Sequence, residues 1–167
     1  MANTDRPHGF APYGPLCRNR PYDVDGSDGT AIFSNDVVEA QDDGYVNQAS
    51  AGDLATIGSS MSYLAASTAG TIMVADSRDQ LFEAQDDASG TLAQTSIFNN
   101  CDMIAGVGSA YTLISGHEIA ASTLSAGDRT FMLLDLVPRS DNAHGDNGDY
   151  VCTINTGEGI FHLQAGV

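Results

Sequence analysis

The sequence predicts an all-β protein, a single β-sandwich or β-barrel domain of the jelly-roll or β-tulip kind. Three observations lead to this prediction. Short apolar or alternating runs recur between turn signals rich in Gly, Asp and Asn. No window sustains an amphipathic 3.6-residue period over three turns. The length of 167 residues, 42% of them hydrophobic and 18 of them glycine, suits one core with many turns.

Residues 71–87, TIMVADSRDQLFEAQDD, are the stretch around which the other elements are arranged. The first five residues are an apolar run typical of a buried strand. The next five are polar, with Asp and Ser side chains that favour a turn. In the following strand, Phe82 and Ala84 alternate with more polar residues, which indicates one dry face and one wet face. We therefore expect a β-hairpin whose outer face, with the EAQDD motif that also occurs at 39–43, is acidic surface.

Further strands are predicted on both sides of this hairpin. Residues 54–64 alternate with period two and predict a long strand, bent at Gly58. Residues 129–137, RTFMLLDLV, are the most hydrophobic run and predict an interior strand. A helical turn is expected only within 91–100. Shorter strands are expected at 30–33, 37–40, 45–46, 102–105, 111–114, 117–121, 150–154 and 159–163.

Residues 1–22 differ in composition from residues 23–167, and we predict an extended N-terminal arm followed by a β-rich domain. Four of the five prolines lie in the first segment, interleaved with aromatic residues and arginines. Proline at this density excludes a helix and favours extended or polyproline II backbone. A disordered tail is the alternative, but such tails are usually poor in aromatics. The residues expected to contact a partner surface are Arg6, Pro7, Phe10, Pro12, Tyr13, Arg18, Arg20 and Tyr22.

The chain is strongly acidic, with 22 Asp and Glu against 6 basic residues and a formal net charge of −16. All the basic residues are arginine. Residues 1–22 carry three arginines and one aspartate, a formal charge of +2, which leaves −18 on residues 23–167. Such a protein repels nucleic acid, so no direct nucleic-acid binding is expected. The acidic body is interpreted as a solvated surface that maintains solubility.

The three cysteines, Cys17, Cys101 and Cys152, are widely spaced and form no CxxC motif. This pattern argues against a zinc or thioredoxin-like site and favours reduced thiols in a chain made in a cytoplasm. The N-terminus lacks the pattern of a signal peptide, and no apolar run approaches 18 residues. We expect a protein that is not exported by a signal sequence and has no membrane partner.

Two acidic loops are weak candidates for calcium. DVDGSDG at 23–29 resembles the start of an EF-hand loop, but the position that needs a bidentate Glu is Ser34. The loop 141–149 contains three aspartates and His144 without a recognised ligand spacing. Both loops are interpreted as turns, and no cofactor or metal is predicted.

No catalytic motif is found. The sequence lacks the G-x-S-x-G of a nucleophile elbow, and His117-Glu118 has no second histidine four residues on. Gly106-Val107-Gly108 has neither a P-loop lysine nor a following helix. Carboxylate pairs are inevitable among so many acids, but the chain has no Trp to form a sugar-binding platform. A protein without enzymatic activity is expected.

Five segments, taken together, resemble tailed-bacteriophage head decoration (cement) proteins in order and character. They are NTDRPHGFAPYG, SDGTAIFSND, VADSRDQLFEAQDD, LVPRSDNAHGDNGDYVCTINTGEGIF and the final QAGV. This chain departs from such proteins in its stronger acidity and its lack of lysine. The resemblance implies a β-rich structural protein, made in the host cytoplasm, that binds the outside of the virion and stabilises the lattice of major capsid protein. It also implies self-association, with a homotrimer preferred to a dimer.

Two alternatives remain open. The first is a phage head-fibre or adhesin-like β module that binds host glycans through its loops. The second is a small β-fold hydrolase, which requires a carboxylate with a strongly raised pKa in a cleft.

Overall fold

Two antiparallel sheets contain all the strands of the computed structural model, which describes residues 3–52 and 55–155. In chain order the strands are β1 (Ala11–Tyr13), β2 (Asn19–Val24), β3 (Val37–Ala40), β4 (Val46–Gln48), β5 (Thr56–Ser60), β6 (Gly70–Ala75), β7 (Leu81–Gln85), β8 (Asn100–Ile104), β9 (Glu118–Ser125), β10 (Phe131–Leu136) and β11 (Asp149–Ile154). The six-stranded sheet has the order β1-β7-β11-β10-β8-β9, and the five-stranded sheet has the order β2-β6-β5-β3-β4.

The predicted all-β class is confirmed, and the sheets form a sandwich-like body instead of a closed barrel. Each sheet keeps two edge strands. The main core takes Phe82 and Phe131 from the six-stranded sheet and Val37 from the five-stranded sheet. Because successive strand residues point to opposite faces, Val38 belongs to a second apolar cluster on the other face of the five-stranded sheet.

The predicted hairpin at residues 71–87 is wrong, although both of its strands exist. β6 pairs with β2 and β5, whereas β7 pairs with β1 and β11, so the two strands lie in different sheets. The connection crosses between sheets because both of its ends are buried and bound elsewhere. Asp76 binds side chains of β2, and Gln80 accepts a hydrogen bond from the backbone N–H of Cys17 at 2.9 Å. These contacts leave no free five-residue turn.

The separate N-terminal arm is not confirmed, because the described part of this segment, residues 3–22, contributes to both sheets. The backbone is extended, as predicted, but β1 pairs with β7 and β2 pairs with β6. β2 also runs across the predicted boundary between residues 22 and 23. Pro12 and Pro21 are tolerated because both strands lie at sheet edges, where a missing N–H costs no ladder hydrogen bond.

Several local predictions are confirmed. β10 is an interior strand with Phe131 and Leu133 buried, and a 3₁₀ helix, Gln94–Ser96, lies in the window where a helical turn was expected. The segments 30–33 and 111–114 are not strands and make only isolated bridges. The strand expected at 159–163 lies outside the described residues.

Candidate functional site

A polar cleft of about 570 Å³ opens on the outer face of the six-stranded sheet. It lies between residues 3–8, strand β7 and the loop that leads into β11, and Thr112 and Ile114 also line it. Phe82 points into the core, so the next residue, Glu83, points outward. Asp149 is paired with Gln85 across the β7–β11 ladder, and paired residues project from the same face. The strand register therefore places three polar side chains at the cleft.

Gln85 fastens the N-terminal residues to this sheet. Its Oε1 accepts the backbone N–H of Arg6 at 2.7 Å, and its Nε2 donates to the carbonyls of Thr4 and Asn147, both at 3.0 Å. Asn3 adds hydrogen bonds to the loop before β11. The start of the chain is thus one wall of the cleft.

His8 occupies its place in this wall because the chain turns sharply at Gly9. Gly9 has φ +71°, in the left-handed region that favours glycine, and a side chain there would overlap Ser115. Asn35 holds both sides of the turn: its Nδ2 donates to the carbonyl of His8 at 3.0 Å, and its carbonyl accepts the N–H of Phe10 at 2.8 Å.

Arg139 joins the two carboxylates of the cleft. Its guanidinium donates to Glu83 Oε1 and to Asp149 Oδ2. The ring of His8 lies beside both, with Nε2 3.8 Å from Glu83 Oε1 and Nδ1 4.0 Å from Asp149 Oδ1. Burial raises the pKa of Asp149, while His8 and Arg139 act in the opposite direction.

Two buried atoms of this cluster have no hydrogen-bond partner, namely Asp149 Oδ1 and His8 Nε2. Ligand atoms of His8, Glu83 and Asp149 lie within 4.8 Å of one another, so this group of side chains has the composition and spacing of a cation site. Sequence spacing does not reveal this group, because its members are 66 and 75 residues apart along the chain. Only the strand register and the turn at Gly9 bring them together.

Two of the three arginines predicted to contact a partner, Arg18 and Arg20, instead bind a carboxylate within the protein. The carboxylate of Asp76 is fully buried and accepts hydrogen bonds from Arg18 Nε at 2.8 Å, Arg20 Nε at 2.5 Å and the Tyr22 hydroxyl at 2.8 Å. Burial acts to raise the pKa of Asp76, but these hydrogen bonds hold it below its usual value. The cluster clamps β2 onto β6.

The other residues predicted to contact a partner are distributed over different environments. Phe10 is buried in the main core and is not available at the surface. Arg6 and Pro7 are exposed and line the cleft. Pro12 and Tyr13 are half-buried on edge strand β1.

Residues 105–114, here called the apolar loop, present hydrophobic side chains to solvent. Val107 is 95% exposed and Tyr111 96% exposed. The loop is nevertheless ordered by its own hydrogen bonds, from the N–H of Leu113 to the carbonyl of Ser109 at 2.7 Å and from the N–H of Ser109 to the carbonyl of Ile114 at 2.9 Å. A rigid loop with an exposed apolar tip is typical of a contact surface.

The apolar loop is anchored to the connection between β2 and β3 at two places. Gly108 packs so closely on the ring of Phe33 that a side chain there would overlap it, and Phe33 in turn packs against Tyr63 with ring centroids 5.3 Å apart. The N–H of Ser34 donates to the carbonyl of Leu113 at 3.1 Å. Apolar surface therefore continues from the loop onto the neighbouring aromatic pair.

A buried acid–histidine pair lies at the base of this loop. His117 Nδ1 accepts the N–H of Val37 at 3.2 Å, so the neutral ring carries its proton on Nε2, 3.4 Å from Asp36 Oδ1. The other carboxylate oxygen accepts hydrogen bonds from Phe33 and Gln48. Burial lowers the pKa of His117, and Asp36 opposes this effect.

The acidic turns have two different structures. In the 23–29 segment, Asp25 accepts a hydrogen bond from the N–H of Ser27 at 2.8 Å, so the predicted turn is confirmed there, whereas Asp23 and Val24 belong to β2. The interpretation of the second EAQDD motif as surface is wrong for Gln85 and Asp86, which are 2% and 0% exposed. Asp86 is buried because its carboxylate binds the N–H groups of Ala88 and Gly148.

The part of the chain described by the structure contains no helix long and apolar enough to cross a bilayer. Comparisons with protein-family models, with curated proteins and with solved structures found nothing that matches this chain.

Proposed function

We propose that this chain is a structural virion protein of the cement class, which binds the outside of a bacteriophage capsid and stabilises the lattice of major capsid protein. The resemblance of its segments to such proteins suggests the class. The observation that carries the proposal is the apolar loop, an ordered hydrophobic projection on an acidic all-β body. The body is, on this proposal, a jelly-roll- or β-tulip-like decoration domain with no enzymatic role.

The contact surface differs from the one expected from sequence. Phe10 lies in the core, while Arg18 and Arg20 bind Asp76, so the N-terminal segment offers less to a partner than its composition suggested. The apolar loop presents Val107 and Tyr111 instead, and tyrosine is enriched among residues that dominate binding energy. Because the loop is already ordered, docking it costs little conformational entropy.

The charge distribution fits the same role. A net charge of −16 disfavours attachment to nucleic acid and leaves an apolar patch as the natural means of adhesion to a protein shell. Many copies on one particle would gain avidity from self-association, for which a homotrimer is the preferred state and a dimer the alternative.

Capsid binding is tested with heads purified from the phage whose genome encodes the chain, stripped of this protein and mixed with recombinant protein. We expect wild type to co-sediment with the heads and the double variant Val107→Ser/Tyr111→Ser to lose binding at least about tenfold. Phe98→Ser is the matched control, because Phe98 is 74% exposed but lies beyond the other end of β8. No binding by wild type, or equal binding by the double variant, contradicts the proposal.

Deleting residues 1–22 does not provide this test. The deletion removes β1 and most of β2 together with the core residue Phe10, so lost binding would report on folding.

The two alternatives make different demands on the polar cleft. Glycan binding would use its hydrogen-bonding residues, and saturable binding on a glycan array would favour that function. For hydrolysis, burial raises the pKa of Asp149, which is the required direction. Arg139 donates hydrogen bonds to both Asp149 and Glu83, and its charge opposes the rise in the pKa of Asp149. The cleft therefore has the character of a binding site more than of a site with a carboxylic acid ready to donate a proton.

A further inference from the structure

We propose that His8, Glu83 and Asp149 bind a divalent transition-metal cation of the Zn²⁺ class at the floor of the polar cleft. The proposal does not depend on capsid binding, which is assigned to Val107 and Tyr111. Thr112 and Ile114 of the apolar loop line the cleft but are not among the proposed ligands.

The spacing of the three side chains is close to that of a metal site. Their ligand atoms lie within 4.8 Å of one another. In a tetrahedral site with bond lengths of about 2.0–2.2 Å, ligand atoms are roughly 3.3–3.6 Å apart. The proposal therefore requires small rotations of the side chains of His8 and Glu83, which are 28% and 19% exposed.

The unpaired atoms of the cluster point to a ligand. Asp149 is only 8% exposed, yet its Oδ1 is buried without a hydrogen-bond partner. His8 Nε2 is also buried without a hydrogen-bond partner. A buried polar atom without a partner has lost its hydration without compensation, and the cost is larger when the atom carries charge. A cation would satisfy a carboxylate oxygen and an imidazole nitrogen together.

Arg139 does not supply the missing partner of Asp149 Oδ1. It donates to Glu83 Oε1 and Asp149 Oδ2, and Asp149 Oδ1 remains unpaired. The carboxylates of Glu83, Asp149 and the exposed Asp141 outnumber the two arginines that line the cleft, Arg6 and Arg139. The local charge therefore still favours a cation, and Arg139 acts as an outer partner that orients the two carboxylates.

The ligand types indicate the class of metal. Imidazole nitrogen suits Zn²⁺ and related transition metals, whereas Ca²⁺ and Mg²⁺ prefer oxygen ligands alone. Three protein ligands leave one coordination position of a tetrahedral ion open toward the cleft. Because His8 belongs to the N-terminal segment and the carboxylates to β7 and β11, a bound ion would also cross-link that segment to the sheet.

The test is a calorimetric titration of chelator-treated, full-length protein with Zn²⁺. All proteins carry Cys17→Ser, because Cys17 is an exposed thiol that can bind Zn²⁺ by itself, whereas Cys101 and Cys152 are buried. We expect saturable binding of about one equivalent of Zn²⁺ and a rise in Tm with Zn²⁺ concentration. Co²⁺ should give the visible absorption of a tetrahedral site.

Two ligand variants and one control show whether Zn²⁺ binds at this site or at another histidine. His8→Gln and Asp149→Asn should each weaken Zn²⁺ binding at least about tenfold, whereas His144→Gln should leave it unchanged. Should Asp149→Asn fail to fold, His8→Gln at the surface of the fold still decides the question. Absence of saturable binding, binding that survives His8→Gln, or tighter binding of Ca²⁺ than of Zn²⁺ overturns the proposal.

Discussion

Phe10 stacks on Phe131 across the main core, with ring centroids 4.4 Å apart and ring planes inclined by 22°. Phe10 precedes β1 and Phe131 begins β10, so this contact joins the start of the chain to the centre of the six-stranded sheet. The N-terminal segment is thus a structural part of the body.

Replacing Phe10 with alanine should destabilise the protein strongly. Phe10 is 1% exposed, and truncation of a buried phenylalanine typically lowers the free energy of unfolding by about 3–5 kcal/mol. Phe98→Ala is the control, because its side chain is 74% exposed and its loss should change stability by less than about 0.5 kcal/mol. Urea unfolding measures both, and similar values for the two variants would show that residue 10 is not in the core.

The cluster at Asp76 should respond asymmetrically to mutation. Removing both guanidiniums with Arg18→Ala/Arg20→Ala leaves a buried carboxylate without its cations and should cost about 3 kcal/mol or more. Asp76→Asn should cost less, because the two arginine side chains are 46% and 47% exposed and their charges can be solvated. Urea unfolding of both variants checks the order, and a larger cost for Asp76→Asn would contradict it.

The buried His117 should make stability depend on pH. Its pKa is lowered in the folded protein, so the unfolded chain, with a histidine pKa of about 6.5, binds the proton first as the pH falls. The stability contributed by neutral His117 is therefore fully present above a pH of about 6.5 and is lost below it, by up to about 1.4 kcal/mol per pH unit.

His117→Gln should flatten this dependence between pH of about 7 and 5. His144→Gln serves as the control because His144 is exposed, and it should retain the wild-type slope. Chemical unfolding at a series of pH values measures the slopes; a His117→Gln slope equal to that of wild type would assign the effect to other groups.

Gly58 should not tolerate a side chain. A Cβ at this position in β5 would collide with the backbone carbonyl of Ala75, which cannot rotate away. We expect Gly58→Ala to destabilise by about 1–3 kcal/mol, the usual range for overpacking. A Cβ at Gly29 would meet no atom within 4 Å, so Gly29→Ala should leave stability almost unchanged. Thermal unfolding measures both variants, and equal stability of the two would contradict the prediction.

The sequence predicted the class of fold and many strands because local patterns determine them. Phe82 and Ala84 alternate with polar residues, and the inward face of β7 follows from that alternation alone. Which sheet a strand joins is decided by distant partners, and β6 and β7 look like a hairpin only when Asp76 is regarded as a turn residue. Its buried hydrogen bonds to Arg18 and Arg20 could not be found from spacing.

The cleft could not be predicted from the sequence for a related reason. Charged residues near the N-terminus indicated an external partner, but an arginine or histidine looks the same in a sequence whether its partner is another protein or its own sheet. The exposure of Val107 and Tyr111 could not be predicted from the sequence either. Residues 111–114 have the composition of a strand, and only their hydrogen bonds make them part of a loop.

An electron cryo-microscopy map of phage heads carrying this protein tests the proposed function most directly. We expect density for the β-sandwich on the outer surface of the shell, with Val107 and Tyr111 of the apolar loop against the major capsid protein and the acidic surface toward solvent. Heads without this density, or a bound protein whose apolar loop faces solvent, would contradict the account.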